Sequence, residues 1–161
     1  GLLFSAYEMN HFKEEYQQQV ILNAKAFARA LKDEGMDVAG DPDISYTETH
    51  QVILNVGYGQ GAVMARELEA NNIIVNYQAT PVEEGFTASG ALRMGVSEMT
   101  RFGMREADFK ELAGLMADLI HRQIPVKEKV LGFRKNFEEM QYCFKPEDLE
   151  MVSTTLLDGF Q

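Results

Sequence analysis

The sequence predicts an α+β domain in two layers, a small sheet with helices packed on it. Three observations lead there. Short β-rich runs bounded by glycine alternate with longer runs of helical spacing. Their order is helix, strand, helix, strand, strand, then helices. The chain has 161 residues, about one domain's worth, and 45% of them are hydrophobic, enough for a core of its own.

Each element has its own warrant. Phe12, Tyr16, Val20, Phe27 and Leu31, with Ala24 between them, recur at helical spacing, and Gly35 is a natural stop. "GDPDIS" at 40–45 is a loop by composition. "HQVILNVG" at 50–57 is β-rich and ends on glycine, so it predicts a strand. "YGQG" breaks it, and a short helix is expected from about 62 to 70. "NN" at 71–72 turns the chain into a second strand, "IIVNYQA" at 73–79, and "GALRMGV" at 90–96 is the third. After Gly103, the residues Phe109, Leu112, Ala113, Met116, Leu119 and Ile120 share one helical face, with Glu106 and Asp108 in the first turns where the helix dipole favours carboxylates. Pro125 opens a helix carrying Val126, Val130, Phe133, Phe137 and Met140, and Pro146 opens a last one through Leu149, Val152 and Leu156.

Composition narrows the function classes. The net charge of −10 disfavours nucleic acid and anionic membranes as partners. No apolar run approaches the roughly 20 residues of a membrane span, and "GLLFSAYEMN" lacks the flanks of a signal peptide. Cys143 is the only cysteine, which excludes an internal disulfide framework and fits a reducing, cytoplasmic setting. His11, His50 and His121 lie far apart and in no metal-ligand spacing, so no metal site is expected.

Among candidate sites, "GYGQGA" at 57–62 lacks the Lys-Ser/Thr of a phosphate loop and has Ala62 where a third glycine would stand, so a turn before a helix is favoured. His50 opens a strand with no serine or cysteine motif to make a triad. The Glu14-Glu15 and Glu138-Glu139 pairs suit solvated helix faces. Arg93 stands out. It sits among apolar residues and glycine, where a guanidinium needs an anion, and its planar fork fits a carboxylate. That carboxylate is either one of the chain's 25 acidic residues or a ligand; composition alone leaves both open.

"SGALRMGVSEMTRFGM" at 89–104 resembles the arginine motif in the C-terminal part of the serine (glycine) hydroxymethyltransferase family. Ser89, Gly90, Arg93, Gly95, Met99, Thr100 and Gly103 fit it, with one extra residue at Ala91 or Leu92. The likeness is collinear over about residues 10 to 122. "YQQQVILNAKAFARAL" (16–31) is similar to the family's helix leaving the large domain, and "YTETHQVIL" (46–54) keeps Thr47 and His50. "NIIVNYQATP" (72–81) and "READFKELAGLMADLI" (105–120) have counterparts too.

The resemblance implies the C-terminal small domain of a fold-type I pyridoxal-phosphate enzyme, two-layered, with a short, largely antiparallel sheet covered by helices. Residues 1–34 would form the leading helix from the large domain, 36–122 the sheet and covering helices, and 123–161 a helical extension. It further implies a reaction in which serine becomes glycine as its hydroxymethyl carbon passes to tetrahydrofolate. Arg93 would grip the amino-acid carboxylate, at the end of its strand and facing the missing large domain. Asn76, Gln78 and His50 would lie in the vicinity of folate or substrate. The full-length protein would be a cytoplasmic homodimer acting on a small amino acid. The family's Thr-His-Lys motif is not in this sequence, so no cofactor-binding or catalytic residue is expected here and the isolated chain should be inert. Val96-Ser97-Glu98, Phe102, Glu48-Thr49 and Asn76-Tyr77-Gln78 depart from the family pattern, which leaves the one-carbon acceptor open. Two other readings stay open: the small domain of an aminotransferase or threonine-aldolase-like enzyme of the same fold type, and a non-catalytic regulatory or interaction module.

Overall fold

The structure, a computed structural model, describes residues 2–80, 88–148 and 154. Its first helix, α1, is Leu2–Asp33. It starts ten residues before the first apolar residue of the expected stripe. The reason is a contact far away in sequence: the Phe144 ring lies 5.9 Å from Phe4, 5.7 Å from Tyr7, 5.2 Å from His11 and 5.5 Å from Phe12. Tertiary packing of this kind, more than propensity, holds a helix end in water. The second half of α1 is the buried half, through Val20, Ala24, Phe27, Ala28 and Leu31.

Gly35, at φ +84°, stops the helix in the left-handed conformation that glycine adopts without strain. The chain then forms a two-residue strand, β1 (Asp37–Val38), too short to show in sequence. Thr47 and Thr49 shape the approach to the next strand: Thr47 Oγ1 accepts from the Thr49 amide at 3.1 Å, and Thr49 Oγ1 from the Gln51 amide at 3.2 Å. Strand β2 (Gln51–Asn55) and helix α2 (Gly61–Ala70) follow as expected. The "GYGQGA" segment is the expected turn: Gly57 and Gly59 have φ of +98° and +69°.

The second expected strand is shorter than its β-rich run. Ile73 donates its amide to Leu68 O at 2.9 Å and is tucked beneath α2, so the chain joins the sheet only at β3 (Asn76–Gln78). Strand β4 (Ala91–Gly95) leads through Val96 into a five-residue helix, α3 (Ser97–Arg101), which the sequence did not announce. Helix α4 (Glu106–Ile120) buries Phe109, Ala113, Met116 and Leu119, as its periodicity requires. Its start is capped by the Asp108 carboxylate, which accepts from the Arg105 amide at 2.7 Å.

Helix α5 is Lys127–Arg134, shorter than the stripe running to Met140. At its end Arg134 turns back to hydrogen-bond Phe137 O and lies 4.8 Å over the Phe102 ring. The Phe133 and Phe137 rings meet edge to face at 5.2 Å, which a tight turn permits and a continued helix would not need. Pro146 opens a single 3-10 turn to Asp148; of the rest of the expected last helix only Thr154 is among the described residues, and it is helical.

Among the described residues the sheet has four strands in the order β1-β2-β4-β3, all antiparallel. Val52, Leu54, Leu92 and Met94 point to one face and are at most 5% exposed, under α1, α2 and α4. Among the described residues these helices and the sheet form two layers; on the other face Arg93 and Gly95 are exposed, while Ala91 is buried.

Candidate functional site

Side chains alternate across a strand, so the register fixes what the uncovered face carries. Arg93 pairs with Ile53 of β2 on one side and with Asn76 of β3 on the other. Ala91 pairs with Gln78, and Gly95 with Gln51. All of these lie opposite the core face. His50 immediately precedes β2; its carbonyl accepts from Val96 N at 3.1 Å, and its ring reaches within 3.6 Å of where a Gly95 side chain would begin. The face therefore gathers Arg93, Asn76, Gln78 and His50, four residues separated by up to 43 positions in sequence. Gly95 leaves room for the imidazole beside the arginine.

Arg93 occupies the middle of β4 rather than its end, because β4 continues two residues further before turning into α3. Its neighbours Leu92 and Met94 are buried while Arg93 itself is exposed. That resolves the apparent contradiction of a charge in an apolar run: alternation turns only the arginine outward. Among the described residues Arg93 takes part in no ion pair; those present join Arg101 to Glu8, Arg122 to Glu34 and Asp118, and Lys129 to Asp118. Next to it opens a groove of about 410 Å³, whose wall includes Ile74, Asn76, Arg93, Gly95, Met99 and Phe133.

The other sequence candidates are structural. Thr47 is buried and bends the chain into β2. The His11 ring belongs to the Phe144 cluster, and His121 caps the end of α4, where its amide bonds Ala117 O. Among the described residues no group of three His, Cys, Asp or Glu is placed to hold a metal ion. Glu14 and Glu15 are exposed on α1, a solvated helix face as expected; Glu138 and Glu139 are exposed too but lie past the end of α5, because the chain leaves the helix at Arg134.

Pyridoxal phosphate needs a lysine for its aldehyde and a cradle for its phosphate. Every lysine of the chain lies on α1, α4 or α5 or in the segment after α5, and none stands on the face with Arg93. The residues present fit a carboxylate clamp and not a cofactor anchor.

Sequence reasoning missed Ile53 and Gln51, which join the face through strand register, and the buried polar residues Gln19 and Asn23 of α1. A spacing of four on the buried side of an amphipathic helix was the available signal for the latter pair.

The family model described as serine hydroxymethyltransferase matches residues 3–116. A serine hydroxymethyltransferase from Pyrobaculum aerophilum is 45% identical over 141 residues, covering 86% of this chain and 33% of the relative. One from Staphylothermus marinus is 43% identical over 151 residues, covering 90% and 34%. The crystal structure of an L-threonine transaldolase from Pseudomonas fluorescens, in its internal aldimine state, superposes with a TM-score of 0.81 at 32% identity, over 94% of this chain and 36% of that one. The chain thus spans about a third of the length of the curated relatives it matches. With a match across the sheet, its covering helices and the arginine strand, the chain belongs to the serine hydroxymethyltransferase family.

Proposed function

We propose that this chain is the amino-acid-gripping small domain of a pyridoxal-phosphate enzyme that converts serine to glycine and passes the one-carbon unit to tetrahydrofolate. The observation that carries the reading is Arg93: an exposed guanidinium on the open sheet face, without an ion-pair partner among the described residues. An ion pair from Arg93 to a carboxylate among the described residues would have supported the salt-bridge alternative.

In this reading the Arg93 fork takes the substrate carboxylate in two parallel hydrogen bonds. Fixing that group sets the orientation of the bonds at Cα, and orientation of this kind accounts for a large part of a rate enhancement. Asn76 and Gln78, one residue apart from each other on β3 and both opposite β4, present amides that donate and accept beside it. His50 offers an imidazole on the other side of Gly95. Pyridoxal phosphate, which the remainder of the enzyme would hold, would supply an electron sink, while Arg93 would orient the amino acid toward it. Closing the missing large domain over this face excludes water and strengthens the Arg93–carboxylate pair. The full-length enzyme is, on the same reading, a cytoplasmic homodimer.

A second acceptor has a specific observation in its favour. A 32% identical structural relative is a threonine transaldolase, and the residues set beside the arginine here are Asn76-Tyr77-Gln78. An aldehyde acceptor in place of the folate is the alternative.

The experiment is to express the full-length protein and this chain separately. Serine consumption is measured with tetrahydrofolate, and threonine consumption with an added aldehyde. The full-length enzyme should turn over serine only with the folate, and the isolated chain should do neither. Preference for threonine and aldehyde would replace the first reading by the second. Turnover by the isolated chain would overturn both.

A further inference from the structure

We infer that Thr100, Asn23, Gln19 and Tyr16 are positioning residues for Arg93, acting through a buried polar strap between α1 and the end of β4. The inference rests on the reading of Arg93 as the carboxylate clamp.

The need for such a strap follows from the sheet. Val96 N bonds His50 O, and Val56 N bonds Gly90 O, so the even-numbered residues of β4 direct their backbone groups to β2. The odd ones, Ala91, Arg93 and Gly95, direct theirs to β3. Asn76 meets Arg93 and Gln78 meets Ala91, but β3 begins at Asn76 and supplies no partner for Gly95. Past Arg93, β4 is thus held by β2 on one side and by no strand on the other.

Helix α1 instead holds the segment that follows Gly95. Thr100 Oγ1 donates to Val96 O at 2.8 Å, three residues beyond Arg93. The same oxygen accepts from Asn23 Nδ2 at 2.8 Å, and the second hydrogen of that amide goes to Met104 O, also at 2.8 Å. Asn23 Oδ1 accepts from Gln19 Nε2 at 2.8 Å, and Gln19 Nε2 reaches Glu106 Oε2 at 3.0 Å. Arg105 donates to Gln19 Oε1. One turn back, Tyr16 OH donates to Ser97 O at 3.0 Å. Asn23 and Thr100 are 0% exposed, and every amide hydrogen and oxygen of Asn23 and Gln19 is used.

With Asn23 and Thr100 fully buried and satisfied at its centre, the network resists displacement, since a shift there strands a buried donor. It would be placed well to fix the carbonyls of Val96, Ser97 and Met104, the segment that closes β4. A hydrophobic contact of the same area would hold α1 on α3 without fixing that register. The strap therefore sets where the strand bearing Arg93 ends, and with it the aim of a long side chain that has no protein partner of its own.

The test uses the full-length holoenzyme and equilibrium binding of glycine by calorimetry. Thr100→Val keeps the shape and removes the hydroxyl relay. Glycine affinity should fall about tenfold, in the range of couplings within one hydrogen-bonded network, while Thr100→Ser should stay near the parent. In an Arg93→Ala background, Thr100→Val should cost no further affinity, because the strap acts only through the arginine. Equal losses in both backgrounds, or unchanged affinity in Thr100→Val, would overturn the inference. If Thr100→Val does not fold, Tyr16→Phe, which deletes one bond at the helix surface, should weaken glycine in the same direction and again only when Arg93 is present; no effect would overturn it equally. Normal glycine binding by Arg93→Ala alone would instead sink the carboxylate reading, a failure read from a different variant.

Discussion

Gly61 offers a sharp test of how α2 sits on the sheet. It is the first residue of the helix, and a methyl added there would lie 2.9 Å from Ser89 O, 3.0 Å from Ala91 O and 3.1 Å from Tyr77 Cβ. Two of those three atoms are backbone, one in β4 and one just before it, so neither can swing aside. The Gly61 amide also donates to Ser89 O at 2.7 Å, which ties the helix start to the point of closest approach. In Gly61→Ala, α2 must retreat by several tenths of an ångström. Overpacking of this type costs about 1–3 kcal/mol. Alanine's helical advantage, at most about 1 kcal/mol in a helix interior, is smaller at a first position. A net loss of about 1–2 kcal/mol should lower Tm by roughly 3–6 °C for a chain of this size. Gly132 is the control: it is inside α5 and a methyl there meets nothing within 4 Å. Gly132→Ala should therefore raise stability by about 0.5–1 kcal/mol. Thermal unfolding of the three proteins by circular dichroism decides. A Tm for Gly61→Ala equal to or above the parent's would refute the packing of α2 against β4.

Gly95→Ala should leave Tm nearly unchanged, since its methyl would meet only His50 Cδ2 at 3.6 Å; a drop as large as that of Gly61→Ala would contradict an open face there. Phe144→Ala should free the first part of α1, seen as faster amide exchange over residues 2–12 with little change near Phe27, because Phe144 is the ring that Phe4, Tyr7 and Phe12 share. Burial pushes the Tyr142 phenol up, with Arg105 opposing in part. A raised folded-state value means stability is complete below the phenol's usual pKa near 10 and falls as pH rises through the folded value; Tyr142→Phe should flatten the alkaline limb of a Tm–pH curve, and an unaltered limb would count against it. Asp118 is held below the usual carboxylate range by hydrogen bonds from Lys129 and Arg122. Its contribution is present above the unfolded carboxylate value and disappears as pH falls through the lowered one, so Asp118→Asn should differ from the parent at pH 7 and converge with it at the acid end.

How much of this could be read beforehand depended on how local the cause was. Helix α4 was legible because Phe109, Ala113, Met116 and Leu119 repeat on one face and Asp108 caps its start. Strand β4 was legible from its alternation, and the same alternation told that Arg93 differs from Leu92 and Met94. Helix ends were less so. The first turns of α1 depend on Phe144, more than a hundred residues away, and the end of α5 on Arg134 finding a carbonyl and an aromatic ring. Strand β3 lost its first half to Ile73, whose β-branched side chain fitted a strand but whose amide was taken by Leu68. The gathering of Arg93, Asn76 and Gln78 is a matter of strand register, which periodicity within a strand does not contain; the family resemblance suggested these residues, the pairings put them on one face, and the His50 ring comes beside it next to Gly95. Asn23 left only its spacing of four from Gln19 on the buried side of α1 as a signal, since its other partners are 77 and 81 residues away.

The central claim is that the anion for Arg93 is the substrate. The most direct measurement sets kcat/KM for serine of full-length Arg93→Ala beside its unfolding midpoint. The account predicts a loss of transition-state binding of about 3–5 kcal/mol, as for a desolvated charge pair losing one partner, so kcat/KM should fall by at least about a hundredfold. Arg93→Lys should recover only part, since a point charge does not replace the fork. The midpoint should hardly move, because the described residues give Arg93 no ion pair to lose. A large fall in the midpoint with normal kcat/KM would contradict the account.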